Sequence, residues 1–253
     1  MRTYNSEFSA DHITTYHRTN KLKRCNSTRR TMIYVVRIAE PFIVRKLDNA
    51  FVSDFFTGVN GILKKYNIKL IGGDLTSSDK IVVSVTVFGN TKNRNVSSRS
   101  NAKEGYIVAV SGEFGSSAQG LYNLQNKKEE DYFSKIHKCP ILNQTASDEA
   151  ATKTNYPYAM MDSSDGLADC LFQISEKSNV TIEVYYDKIP KKTDDRDFVL
   201  YGGEDYSLVA AIHCEDFKNL KNFIEIGKCY KLSNDSVKID NKVLEYKGYN
   251  HFE

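Results

Sequence analysis

Three short words place carboxylates beside glycines at the ends of apolar runs: Gly72-Gly73-Asp74, Asp162-Ser163-Ser164-Asp165-Gly166 and Gly202-Gly203-Glu204-Asp205. Glycine lets the backbone approach a ligand closely and expose its amides. Aspartate supplies hard oxygens, which Mg²⁺ accepts one or two at a time together with phosphate oxygens. The chemistry in question is therefore metal-assisted handling of phosphate. Each word alone has a plainer account: a strand end followed by a helix N-cap for Asp162-x-x-Asp165, and a tight turn for each Gly-Gly. Spacing alone leaves a Mg²⁺–phosphate enzyme open without establishing it. No Walker-type Gly-x-x-x-x-Gly-Lys-Ser/Thr occurs, and the run Ser111 to Gly120 does not fit the dinucleotide fingerprint. No His or Cys stands beside a partner for nucleophilic work. His213 ends an apolar strand, and His137 and Cys139 mark a loop before Pro140.

Ordinary elements have to hold these words. Phe51, Phe55, Val59, Ile62, Leu63 and Tyr66 recur at helical spacing, predicting an amphipathic helix that ends near Asn67. Residues 68–71 form a short strand that breaks at Gly72-Gly73-Asp74, and 81–88 and 106–110 form two more. A helix starts near Ser116. The strand 158–161 runs into Asp162, and Leu167, Leu171 and Ile174 share one face of the following helix. Further strands are expected over 181–185, 206–212 and 224–230, a helix over 216–223, and a hairpin turning at Asp240-Asn241. Such alternation points to an α+β or α/β enzyme fold.

Composition limits the alternatives. The chain has 253 residues, 40% hydrophobic and 26% charged. A chain of this length buries about 70% of its unfolded surface, enough for a real core. The longest nearly unbroken apolar run, Ile81 to Phe88, is too short to span a bilayer. Five scattered cysteines without metal or redox spacing read as reduced thiols of a cytoplasmic protein. The net charge of +3 does not by itself imply nucleic acid. Neither a nucleic-acid nor a membrane partner is expected. Seven arginines fall within the first 45 residues, and no acidic residue lies between Asp11 and Glu40, so composition changes near residue 40.

Taken in order, the words resemble thiamine-monophosphate kinase, of the aminoimidazole-ribonucleotide-synthetase-like (PurM-like) superfamily. They are Leu70-Ile-Gly-Gly-Asp-Leu-Thr76, Arg99-Ser-Asn-Ala-Lys-Glu-Gly-Tyr106, Gly115-Ser-Ser-Ala-Gln-Gly-Leu121, Met161-Asp-Ser-Ser-Asp-Gly-Leu167, Tyr201-Gly-Gly-Glu-Asp-Tyr206, Ile226-Gly-Lys228 and Tyr246-Lys-Gly-Tyr-Asn-His-Phe252. The resemblance implies ATP-dependent phosphorylation of thiamine monophosphate to thiamine diphosphate with Mg²⁺. It implies nucleotide contacts at Gly73, Asp74, Arg99 and Ser164, metal ligands at Asp74, Asp162 and Asp165, and thiamine-phosphate contacts at Glu204 and Tyr249. No side-chain acid, base or nucleophile is required, because the attacking phosphate oxygen is already ionised and positioning with charge neutralisation supplies the catalysis.

The resemblance also implies an α+β, PurM-like two-domain fold with a truncated N-terminal domain and a near-complete C-terminal domain of mixed sheet plus helices. Members carry further aspartate-bearing words, a substrate histidine and strands of a barrel shared between two subunits of a homodimer. None of those words occurs in residues 1–40. This segment is therefore expected to be unmatched and poorly ordered, as in a truncated or frame-shifted copy, with 41–98 a remnant of the N-terminal domain and 99–253 the C-terminal domain. Dimerisation is in doubt on the same ground. The rival expectations are a catalytically dead homologue that binds nucleotide or thiamine phosphate, and a sister ATP-dependent synthetase of the superfamily.

Overall fold

The computed structural model describes residues 33–40, 49–77, 82–89, 91 and 94–247. They fall into two compact units, one up to residue 89 and one from residue 91.

In the first unit, strand β1 (Ile33–Glu40) leads to helix α1 (Asn49–Lys65), strand β2 (Lys69–Ser77) and strand β3 (Val82–Phe88). The sheet order is β2-β1-β3, with β1 parallel to β2 and antiparallel to β3. A parallel pair needs a crossover, and α1 lies in that connection. The helical spacing seen in the sequence buries Phe55, Val59 and Leu63 against Ile68, Val85 and Val87.

Two sequence expectations change here. Residues 33–40, grouped by composition with the basic N-terminal segment, form the central strand of this sheet, and the run Ile33-Tyr-Val-Val-Arg-Ile-Ala-Glu is suitably β-branched. Residues 1–32 lie outside the described residues. Strand β2 does not break at its glycines. It continues through them because Val35, Val36 and Arg37 of β1 pair with Gly72, Gly73 and Asp74.

The second unit contains β4 (Ile107–Ser111), α2 (Ser116–Gln125), α3 (Tyr132–Lys138), α4 (Gln144–Lys153), β5 (Ala159–Asp162), α5 (Leu167–Ser178) and β6 (Val180–Val184). It continues with α6 (Arg196–Tyr201), β7 (Leu208–Ile212), α7 (Cys214–Phe217), β8 (Ile224–Lys231), β9 (Val237–Ile239) and β10 (Lys242–Val243). The mixed seven-stranded sheet has the order β10-β9-β6-β8-β4-β7-β5. Alternation along β4 sends Val108 and Val110 into one core with Leu167, Leu171 and Ile174 of α5, and Ile107 and Ala109 into another with Ala146 and Ala150 of α4. The sheet is thus covered on both faces.

Helix α3 takes in His137, which the sequence placed with Cys139 in a loop before Pro140, and α4 follows in a stretch the sequence left unassigned. Asp131 starts α3 by accepting the Ser134 backbone N–H at 2.8 Å. The helix expected over 216–223 shrinks to the four residues of α7. Its Asp216 carboxylate instead accepts the backbone N–H groups of Asn155 and Tyr156, each at 2.9 Å, ahead of β5. The hairpin turns where expected, with Asp240 at φ 51° and Asn241 at φ 64°. Residues 94–98, expected with the N-terminal remnant, belong to the second unit: Arg94 pairs with Asp148 at 2.8 Å, and the Asn95 amide donates to the Tyr156 carbonyl at 2.7 Å. No helix among the described residues is long and apolar enough to cross a membrane.

Candidate functional site

Three words far apart in sequence meet at one end of the large sheet. Strands β5 and β7 pair antiparallel with Asp162 opposite Leu208, which brings the segments after β5 and before β7 side by side. Backbone bonds tie them: Ser163 N–H donates to the Ser207 carbonyl and Glu204 N–H to the Ser164 carbonyl, both at 2.9 Å. Gly203 is packed so closely that a Cβ there would lie 2.6 Å from the Ser164 carbonyl oxygen. The glycine-rich run before α2 wraps the same place. The Asp205 carboxylate accepts Gly115 N–H at 2.6 Å and Ser117 N–H at 2.8 Å, at the start of α2. Burial pushes this carboxyl up to about 7, against the pull of those two donors. Asp205 therefore serves as a buried anchor between two loops, a role the acidic word did not announce.

The residues assigned to metal and phosphate sit on the resulting platform. Asp162 ends β5 and is 5% exposed, Ser164 is also buried, and Asp165 is exposed just ahead of α5. Ser164 Oγ donates to Asp165 at 3.3 Å. Glu204 and Tyr206 both occupy the left-handed region, at φ 67° and φ 54°, and the Tyr206 hydroxyl donates to the Glu204 carboxylate. Non-glycine residues there carry about 1–3 kcal/mol of strain each, which persists when the surroundings overdetermine them. The strain falls on the word that carries a proposed substrate contact.

Arg99 approaches from the segment before β4. Its guanidinium donates to Gln173 on α5, and Gln173 in turn donates to Asp169. Burial chiefly raises the Asp169 pKa against the hydrogen bonds from Gln173 and Tyr246, with Asp165 adding to the rise and Arg99 opposing it. Asp169 and Gln173 were not picked out from the sequence. Their only signal was an i,i+4 Asp–Gln pair on a predicted helix.

Gly73 and Asp74 belong to the first unit. Both are exposed on β2, in a cleft of about 570 Å³ that Phe56, Leu70 and Leu75 also line. Tyr249 lies outside the described residues. Hard carboxylate oxygens at Asp162 and Asp165 suit Mg²⁺ that takes its remaining ligands from phosphate. Among the described residues no group of three or more His, Cys, Asp or Glu is placed to hold a metal, so a cage made of protein ligands alone does not fit.

Comparison with known proteins agrees with these words. No family model matches the chain. Thiamine-monophosphate kinase of Bacillus subtilis is 35% identical over 247 residues, covering 87% of this chain and 74% of the relative. That share of the chain exceeds residues 41–253, so the match reaches into the N-terminal segment. Thiamine-monophosphate kinase of Aquifex aeolicus is 31% identical over 219 residues, covering 81% of this chain and 70% of the relative. Among solved structures, "AaThiL complexed with AMPPCP and TMP" superposes with a TM-score of 0.82 at 25% identity, covering 97% of this chain and 82% of that one. The hydrogenase maturation protein HypE, at 13% identity and TM-score 0.67, shares the fold alone.

Proposed function

The chain belongs to the thiamine-monophosphate kinase family, and on that premise we propose that it transfers the γ-phosphoryl group of ATP to thiamine monophosphate, yielding thiamine diphosphate and ADP. The observation that carries this reading is the convergence of the Asp162–Gly166, Gly202–Asp205 and Gly115–Leu121 words at one sheet end, with Arg99 bonded to Gln173 of the adjoining α5. A relative bound to an ATP analogue and TMP supports it.

The acceptor's phosphate oxygen forms the new P–O bond, the bond from the γ-phosphorus to the bridging oxygen breaks, and ADP departs with that electron pair. No proton has to be removed first. The barrier is the approach of two anionic groups, and preorganised charge is the main remedy. Arg99 supplies a fixed cation. Asp162 and Asp165 would hold Mg²⁺, which when bound neutralises phosphate charge. Ser164 offers a hydroxyl to phosphate oxygens. Gly73 and Asp74 carry the family's nucleotide and metal positions on the first unit. Glu204, held by Tyr206, and Tyr249 are the thiamine-phosphate contacts. The homodimer of the family and a cytoplasmic location belong to the same reading, and the four described cysteines form no disulfide among the described residues.

The test is formation of thiamine diphosphate by the purified chain from thiamine monophosphate, ATP and excess Mg²⁺. Stoichiometric ADP and thiamine diphosphate are expected. ATP binding without product would favour the binding-only homologue.

A further inference from the structure

Helix α5 grips Arg99 at two points. The Ser178 hydroxyl donates to the Arg99 carbonyl at 2.7 Å and accepts the Ala102 N–H at 3.0 Å, which pins the backbone. The side chain is held through Gln173, whose amide oxygen accepts from Arg99 Nη1 and whose nitrogen donates to Asp169 Oδ2. The other carboxylate oxygen, Oδ1, accepts from the Tyr246 hydroxyl at 3.2 Å. Tyr246 also packs edge-to-face on Phe172, with ring centroids 5.2 Å apart. Asp169 is 7% exposed, whereas Tyr246 is largely exposed.

The polarity of this chain is forced. A guanidinium only donates and an ionised carboxylate only accepts, so the amide must turn its oxygen to Arg99 and its nitrogen to Asp169. The interposed amide matters electrostatically. A carboxylate in direct contact would pair with the guanidinium and spend its charge. A neutral amide fixes its direction while leaving the charge and the other N–H donors for an anion.

We propose that Gln173 and Asp169, latched from the C-terminal side by Tyr246, are positioning residues that aim Arg99 at the phosphates of the bound nucleotide. The proposal rests on the kinase reading of this site. Asp169 and Gln173 both lie outside the words that carried the family resemblance.

A double-mutant cycle separates positioning from mere helix support. AMPPCP with Mg²⁺ is titrated calorimetrically into the full chain and its Arg99→Ala, Gln173→Leu and doubly substituted forms, with melting curves recorded for each. Gln173→Leu should weaken AMPPCP binding about tenfold, the equivalent of one charge-assisted hydrogen bond. In the Arg99→Ala background it should change binding by less than about twofold, since its effect passes through Arg99. Thiamine monophosphate affinity should stay unchanged in Gln173→Leu. Should that variant fail to fold, Asp169→Asn takes its place, with the same loss expected and the same disappearance without Arg99. Wild-type affinity in the folded variant, or losses that multiply in the double form, would overturn the relay while leaving the kinase reading intact. Failure of the wild-type chain to bind AMPPCP would instead overturn the kinase reading, and the relay with it.

Discussion

Gly166 stands where the turn that carries Ser164 and Asp165 enters α5, at φ 99° and ψ 165°. That combination is essentially restricted to glycine, and forcing alanine into it costs about 1–3 kcal/mol. Space is short as well. A Cβ at 166 would lie 3.1 Å from both the carbonyl carbon and the oxygen of Tyr201, and 3.2 Å from the Gly202 carbonyl oxygen. These are backbone atoms of the neighbouring word, so they yield by a few tenths of an ångström or the turn moves. Together the two terms come to about 2–4 kcal/mol. In a unit of this size that lowers the melting temperature by about 5–15 °C. The displaced turn carries Ser164 and Asp165, so turnover in the folded variant should fall up to about 10²-fold, the expected scale for an ångström-level misplacement. Gly105→Ala is the control, because Gly105 also has a positive φ, 83°, yet nothing lies within 4 Å of a Cβ there. Differential scanning fluorimetry and the kinase assay, run on both variants, give the comparison. A Gly166→Ala protein that melts within about 2 °C of wild type and turns over normally would refute the strain argument.

The carboxylates make three further predictions. Burial would raise the Glu149 pKa, but Lys153, the Asn222 side chain and the backbone N–H groups of Lys221 and Asn222 outweigh it and hold the group at about 2. Its contribution is present above the usual carboxylate pKa and is lost as pH falls towards 2. Glu149→Gln should therefore cost about 3 kcal/mol near neutrality and flatten the acid limb of a urea-denaturation pH series. Asp205 behaves oppositely. With its pKa raised to about 7, the native state prefers the protonated form, so stability declines as pH climbs from about 4 towards 7. Asp205→Asn should remove that decline, read as melting temperature against pH. Asp162→Asn should lower turnover about 10²–10³-fold and raise the Mg²⁺ concentration needed for half-maximal rate, while AMPPCP binding without metal stays unchanged. That is checked by steady-state kinetics over a Mg²⁺ series and by calorimetry.

The elements most legible in the sequence were those whose signal is local. The α1 stripe of Phe55, Val59 and Leu63 needed no partner to be recognised as helical, and the Asp240-Asn241 hairpin carried its own turn chemistry. The words around Asp162, Glu204 and Gly115 were likewise visible as words. Their adjacency was not. It arises from the antiparallel pairing of β5 with β7 and from the Asp205 carboxylate reaching across to the amides of Gly115 and Ser117, contacts between residues about forty to ninety positions apart.

Long-range pairing also accounts for the differences. Residues 33–40 are a strand because β2 and β3 flank them, and β2 passes through Gly72-Gly73 because β1 supplies the ladder; neither ladder is written in the window it stabilises. Asp216 stays in the shortened α7 while its carboxylate caps the distant amides of Asn155 and Tyr156. The sequence by itself determined which residue types are available for phosphate chemistry and to which family they belong. Only the tertiary structure decided that Asp205 is an anchor and that Gln173 stands between Arg99 and Asp169. The reason is physical: a side chain's role depends on the donors and acceptors that burial brings within hydrogen-bond reach, and those come from distant parts of the chain.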